Sequence, residues 1–190
     1  MSLNVIENII PIEQQNAIEE KFLGSEFPLF LNKRSVNLDN QTAFSDPNTK
    51  DGYRLNHMFV HQGQLVSNEW SLIEPIALAL VTKLGLMPRI ASCKLNLTFP
   101  NPEFGENDHF PAHYDTTDKA VIAIYYVNES DGDTLFFREK NREGLYEIDE
   151  RFSPKKGSLV YFSQSVLHAN HPPRKSKARC IINFNFLIDF

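Results

Sequence analysis

The chain has 190 residues, 42% of them hydrophobic, with 19 basic and 24 acidic groups and a formal charge of -5. That is enough chain to bury a core without covalent staples, and 15 Phe residues argue for a packed globule over a disordered chain. The acidic balance argues against a nucleic-acid partner, whose footprint needs clustered Lys and Arg; Arg174, Lys175, Lys177 and Arg179, taken as a group, read as a solvated turn. No signal-like leader and no apolar run of membrane-spanning length is visible, so a cytoplasmic location without membrane association is expected. Cys93 and Cys180 have no CxxC spacing and are expected to be reduced, buried thiols.

One domain over residues 1–190 is the simplest organisation, with 1–89 as a helical and irregular support and 90–190 as a β core. In the first third, apolar residues at 12, 18, 22 and 23 predict a helix over Ile12 to Leu23, stopped by Gly24. Residues 25–68 are rich in Asn, Asp, Ser and Gln and read mostly as loops with short strands. The stretch NEWSLIEPIALALVTKLG predicts a second helix ending near Leu84, with Pro75 in its first turn or kinking it. Trp70 belongs to its core face. The Phe-rich segments 27–30 and 184–190 read as packing.

From residue 90 the period becomes strand-like. ASCKLNLTF, AVIAIYYV, DTLFF, GSLVYF and RCIINFNFLI are separated by Gly, Pro, Asn or Asp clusters. Short strands with turns between them, preceded by helices, predict a mainly β protein of the α+β class: a sandwich or squashed barrel covered on one face by helices.

Chemistry enters at HFPAHYDTTDK. On an extended segment residues i and i+2 point to one side, so His113 and Asp115 can converge on one point. Alone, such a pair is as well explained by a surface ion pair or a turn cap. A second polar island, GSLVYFSQSVLHANHPP, ends a buried-looking strand at His168. Two His and one Asp delivered from the ends of two apolar strands make the 2-His-1-carboxylate set, which binds Fe(II) on one face and leaves positions open. His168 is preferred to His171 because it directly follows the apolar run. His113 is preferred to His109 because only His113 has the carboxylate two residues on.

In the last strand, alternation puts Arg179, Ile181, Asn183 and Asn185 on one face, which calls for a wet or ligand-filled interior. An arginine aimed inward is a receptor for a carboxylate, since its fork matches two oxygens. The alternative is an arginine at the sheet edge facing solvent.

H-x-D, IYYVN, DGDTLFF, SPKKGSLVYFSQSVLH and RCIINFNF, in that order, resemble the Fe(II)- and 2-oxoglutarate-dependent oxygenases, and within them the prolyl-4-hydroxylase-like branch. The likeness is detailed over roughly residues 90–190 and looser before, where an FP segment (Glu26 to Phe30) and an HMF segment (His57 to Phe59) are similar to those of small, often phage-encoded members. The resemblance implies a double-stranded β-helix, a jelly roll of about eight strands. It implies that His113, Asp115 and His168 ligate iron and form the catalytic centre. Arg179 and Tyr126 would hold the distal carboxylate of 2-oxoglutarate, and Asn96 and Thr98 have the parity to touch the cosubstrate. Tyr125 should face the other way and pack.

The activity implied is oxidative decarboxylation of 2-oxoglutarate to succinate with O2, coupled to C–H hydroxylation, with ascorbate as an accessory reductant. The substrate is open: a peptide or protein side chain, a free amino acid or a small metabolite, selected by loops 31–68 and 99–112. Two features depart from the branch: Asp131 stands where a glycine is usual before Gly132, and Arg179 follows His168 by eleven residues, a longer interval than usual. A cupin-like metalloenzyme without 2-oxoglutarate and a non-enzymatic jelly-roll binding module are the rival readings. His57 and His61 read as core or surface residues rather than part of a substrate entrance.

Overall fold

A computed structural model describes residues 3–33, 46–85, 87–138 and 146–188. In chain order the elements are β1 (Asn4–Ile6), α1 (Ile12–Leu23), β2 (Phe30–Asn32), β3 (Arg54–His61), β4 (Gln64–Leu65), α2 (Trp70–Leu84), β5 (Arg89–Thr98), β6 (Ala120–Tyr126), β7 (Thr134–Phe137), β8 (Ile148–Phe152), β9 (Leu159–Ser163), β10 (His168–Asn170) and β11 (Arg179–Leu187). The strands form two antiparallel sheets. The larger runs β1-β9-β6-β11-β5-β3-β2, with β4 paired to β3, and the smaller runs β10-β7-β8. This is the double-stranded β-helix with two supporting helices.

Alternation along the central strands creates two different faces. Cys93, Leu95 and Leu97 of β5, Ala123 and Tyr125 of β6, and Cys180, Ile182 and Phe184 of β11 share one core with Ile18 and Phe22 of α1 and Ile73, Ile76 and Leu80 of α2. The helices are held by that burial, each fully buried Ile, Leu or Phe contributing about 1.5–3 kcal/mol. Helix α2 closes at Gly85, whose φ of 62° is left-handed and whose N–H returns to the carbonyls of Thr82 and Val81. On the opposite face Ile122, Ile124, Val160 and Phe162 pack against Phe136 of the smaller sheet. The two sheets therefore meet face to face, and the space between them holds the polar residues of β5 and β11.

Several sequence expectations need correction. Pro75 is the sixth residue of α2, past the first turn, and the helix continues through it. Residues 54–61, expected to be mostly loop, form an eight-residue strand inside the larger sheet. Its alternation is masked because His57, polar by type, occupies a core position. Its Nδ1 lies 2.9 Å from the Pro28 carbonyl and its Nε2 2.7 Å from Ser67 Oγ, so the ring is satisfied in place. Phe30 is 63% exposed, unlike Phe27, Phe184 and Phe186, which are buried. Residues 34–45 of the polar loop and Phe190 lie outside the described residues. Both cysteines are buried and free.

Candidate functional site

His113 and His168 are locked together through their backbones. The His113 N–H donates to the His168 carbonyl at 2.9 Å and the His168 N–H returns to the His113 carbonyl at 3.2 Å, an antiparallel bridge that brings the two rings to a centroid distance of 4.8 Å. Asp115, two residues beyond His113, turns its carboxylate into the same space. His113 Nε2 lies 3.6 Å from Oδ1, and His168 Nε2 lies 3.6 Å from Oδ2, with the Asp115 side chain 6% exposed. The three donor atoms all lie within 4.8 Å of one another. His171, the rival ligand, instead sets its ring against the Gly105 and Pro172 carbonyls. His109 is buried against Phe137 with Nδ1 donating to the Phe110 carbonyl.

Protonation settles what this cluster asks for. The Nδ1–H of His113 donates to the Pro111 carbonyl at 2.9 Å and that of His168 to the Val166 carbonyl at 3.1 Å. In a neutral imidazole this leaves Nε2 as a bare lone pair. Burial, only partly offset by the charge of Asp115, pulls the His168 pKa down to about 4, so its ring is neutral at ordinary pH. Burial opposes the charge on Asp115, but the hydrogen bond and charge of His113 and the charges of His168 and Lys94 outweigh it and hold the carboxyl well below its usual range. The His168 lone pair therefore faces an anion at 3.6 Å, a repulsive arrangement unless a cation sits between them. Two imidazole nitrogens and one carboxylate oxygen suit Fe(II), and each histidine carries the outer hydrogen bond that orients a metal ligand. Asn183 Nδ2 donates to Asp115 Oδ2 at 3.0 Å and fixes the carboxylate in the same way.

Arg179 closes the other end of the same cavity. It is 2% exposed, with Nε donating to the Gly132 carbonyl at 2.7 Å and an Nη to Thr134 Oγ1 at 2.8 Å. No carboxylate among the described residues pairs with it, so it is a buried cation lacking an anion. Tyr126 is one step removed, its hydroxyl bonded to Thr134 Oγ1 at 2.8 Å. Asn96 and Thr98 line the cavity, and Thr98 Oγ1 is a buried hydroxyl without a hydrogen-bond partner. Tyr125 packs in the helix-side core. An unpaired guanidinium and an orphaned hydroxyl, one strand apart and facing a metal-ready cluster, fit a bound dicarboxylate such as 2-oxoglutarate.

The family model described as the 2OG-Fe(II) oxygenase superfamily matches residues 99–187. That match covers just under half of the chain, the stretch that carries the candidate site. The protein is a 2-oxoglutarate-dependent dioxygenase whose cofactors are Fe(II), 2-oxoglutarate and O2. No curated protein matches the chain. Among solved structures, the oxygenase fold is similar to a 2OG-Fe(II) oxygenase-family oxidoreductase from Burkholderia pseudomallei, at TM-score 0.67 and 12% identity over 97% of this chain and 84% of that one. It is also similar to the viral collagen prolyl hydroxylase of Paramecium Bursaria Chlorella virus-1, at 0.61 and 14%, covering 99% and 97% of the two chains. A Pseudomonas putida prolyl-4-hydroxylase follows at 0.58 and 18%, covering 99% and 93%. At these identities the likeness is one of fold.

Two charged cavity-lining residues went unnoticed in the sequence: Arg54 of β3 and Lys94 of β5. Lys94 was within reach of pattern reading, because it shares the parity of Asn96 and Thr98. Arg54 was hidden by the loop-like composition around it. Among the described residues, no helix is long and apolar enough to cross a membrane.

Proposed function

We propose that this oxygenase is a hydroxylase that inserts oxygen into a C–H bond of its substrate, with His113, Asp115 and His168 holding Fe(II) and Arg179 holding the distal carboxylate of 2-oxoglutarate. Residues 1–89 would buttress the β core 90–190 as one folding unit. When bound, iron and 2-oxoglutarate supply the oxidising power, with succinate and CO2 as the products of the cosubstrate.

The observation that carries the reading is the convergence of two imidazoles and one carboxylate within 4.8 Å of one another, with the neutral His168 ring facing the anion. The chain's own contribution is positional. Carbonyls 111 and 166 hold each imidazole with its Nε2 turned inward. Asn183 keeps the carboxylate turned toward both rings. The Arg179 guanidinium, oriented by Gly132 and Thr134, leaves its remaining N–H groups for a carboxylate, and Tyr126 secures Thr134. Thr98 Oγ1 and Asn96 flank the space between the two ends and offer hydrogen bonds to the rest of the cosubstrate. Apolar walls from Ile124 and Ile181 exclude water around the reacting groups.

Hydroxylation, rather than another outcome of the same oxidising chemistry, is a choice the fold does not make by itself. It is supported by the likeness to two prolyl hydroxylases and is tested by product analysis. Under 18O2, succinate formation should be coupled to a product heavier by one labelled oxygen. Stoichiometric succinate with a desaturated or epimerised product would overturn hydroxylation while keeping the oxygenase.

A further inference from the structure

The iron and cosubstrate assignments leave two cations of the cavity unused. Arg54 opens β3 and Lys94 lies in β5. The register that sets Asn56 opposite Asn96 and Met58 opposite Lys94 puts both on the strand face that looks into the cavity. Arg54 is 7% exposed and its Nε has no hydrogen-bond partner. Lys94 is half-buried, and no carboxylate among the described residues closes an ion pair with either side chain. Both feel Asp115 only at longer range, and Arg54 also feels Asp51.

Burial pulls the Arg54 pKa down to about 10, and burial followed by the charge of Arg54 lowers that of Lys94. The two side chains are therefore paying desolvation and mutual repulsion in the same space. Arg54 also feels the charge of Arg179, which lies in the same row across the sheet on the far side of Thr98. β5 lies between β3 and β11, so the two arginine backbones stand two strand spacings apart, about 10 Å.

Charge counting then decides. Arg54, Lys94 and Arg179 bring three positive charges to the cavity and Asp115 one negative. Fe(II) and the 2-oxoglutarate dianion add two of each sign and cancel. Two positive charges remain among largely buried side chains, a costly state that an anionic occupant relieves.

Resting on the oxygenase reading above, we propose that the substrate is a small anion whose carboxylate or phosphate is seated by Arg54 and Lys94. The uncharged interior of a peptide would leave both cations unanswered. The seat also explains why a residue at the start of β3 and one in the middle of β5 both turn toward one cavity.

The test titrates acetate and, separately, inorganic phosphate into the anaerobic Fe(II)- and 2-oxoglutarate-loaded protein by calorimetry, with wild type, Arg54→Gln and Lys94→Met compared. One equivalent of an oxyanion should bind saturably to wild type, and each variant should weaken it about ten- to hundredfold, the loss of one charge-assisted hydrogen bond. Tighter binding of acetate identifies a carboxylate substrate, and tighter binding of phosphate a phosphate ester. The absorbance titration of 2-oxoglutarate should stay within about threefold in both variants, which also shows that they are folded. Absence of saturable binding in wild type, or binding unchanged in both variants, overturns the seat. Loss of 2-oxoglutarate affinity in Arg54→Gln would assign Arg54 to the cosubstrate and overturn it too. If wild type shows no cosubstrate-dependent absorbance, the oxygenase reading itself has failed, and the seat falls with it.

Discussion

Gly132 and Arg179 fit against each other without room for a methyl group. The Gly132 carbonyl accepts the Arg179 Nε–H at 2.7 Å, and a Cβ at position 132 would stand 2.9 Å from Arg179 Cδ and 2.8 Å from the His171 carbonyl oxygen. Since the second obstacle is backbone, Gly132→Ala must displace either the turn or the arginine. Overpacking of this kind costs about 1–3 kcal/mol. The expected outcome is a melting temperature lower by several degrees and a 2-oxoglutarate affinity weakened at least tenfold, with iron affinity retained. Parallel titrations of iron and cosubstrate check it.

The neighbouring Asp131 accounts for both departures of this chain from the prolyl-4-hydroxylase-like pattern. Its carboxylate accepts the backbone N–H groups of Arg174, Lys175 and Ser176 at 2.8–3.2 Å, so the residue that replaces a glycine organises the longer connection to Arg179. Burial opposes the charge, but the N–H bonds of Ser176 and Lys175 outweigh it and hold the Asp131 pKa down at about 2. Asp131→Ala should raise amide hydrogen exchange at 174–176 and lower cosubstrate affinity. Asp131→Asn, which keeps one acceptor oxygen, should fall between the two.

Acid should destabilise the metal-free protein through His168. Its folded pKa near 4 lies below the ordinary value of 6.5, so in that window the unfolded chain binds the proton and the folded one does not. Stability is therefore full above about pH 6.5 and falls as pH drops toward 4, by about 3 kcal/mol in total. Asp115, depressed as well, adds its own loss only below the ordinary carboxylate range. Denaturant unfolding of wild type and His168→Asn across this window should show a slope in the first and a flatter profile in the second.

In the proposed iron site Asn183 would act on the metal through Asp115. Removing its amide in Asn183→Ala leaves Asp115 Oδ2 without its 3.0 Å donor, and outer hydrogen bonds of this type are worth roughly 10–100-fold in metal affinity. Iron affinity should drop by that factor while 2-oxoglutarate affinity at saturating iron changes little. Asn183→Ser, which can still donate, should recover part of the loss.

The strands that frame the site were legible because their faces alternate cleanly. β11 shows Arg179, Ile181 and Asn183 toward the cavity and Cys180, Ile182 and Phe184 toward the helices, and pairing with β5 and β6 respects that division. His113 and Asp115 were legible from i, i+2 spacing, and His168 from the end of an apolar run. β3 was not legible, for two physical reasons. His57 fills a core position by bonding to Pro28 and Ser67, and a register shift between Met58 and Val60 breaks the period. β10 has three residues, too few for a period to show, and β8 is the half-exposed, charge-rich IDERF with no apolar alternation; their pairing with β7 is a tertiary fact.

The most direct test is an anaerobic titration of Fe(II) and then 2-oxoglutarate, followed by visible charge-transfer absorbance, in wild type, His168→Ala and Arg179→Ala. Wild type should develop the band with one equivalent of each. His168→Ala should lose iron and band together, while Arg179→Ala should keep iron and need at least tenfold more 2-oxoglutarate. An undiminished band in His168→Ala, or an unchanged 2-oxoglutarate requirement in Arg179→Ala, would contradict the account.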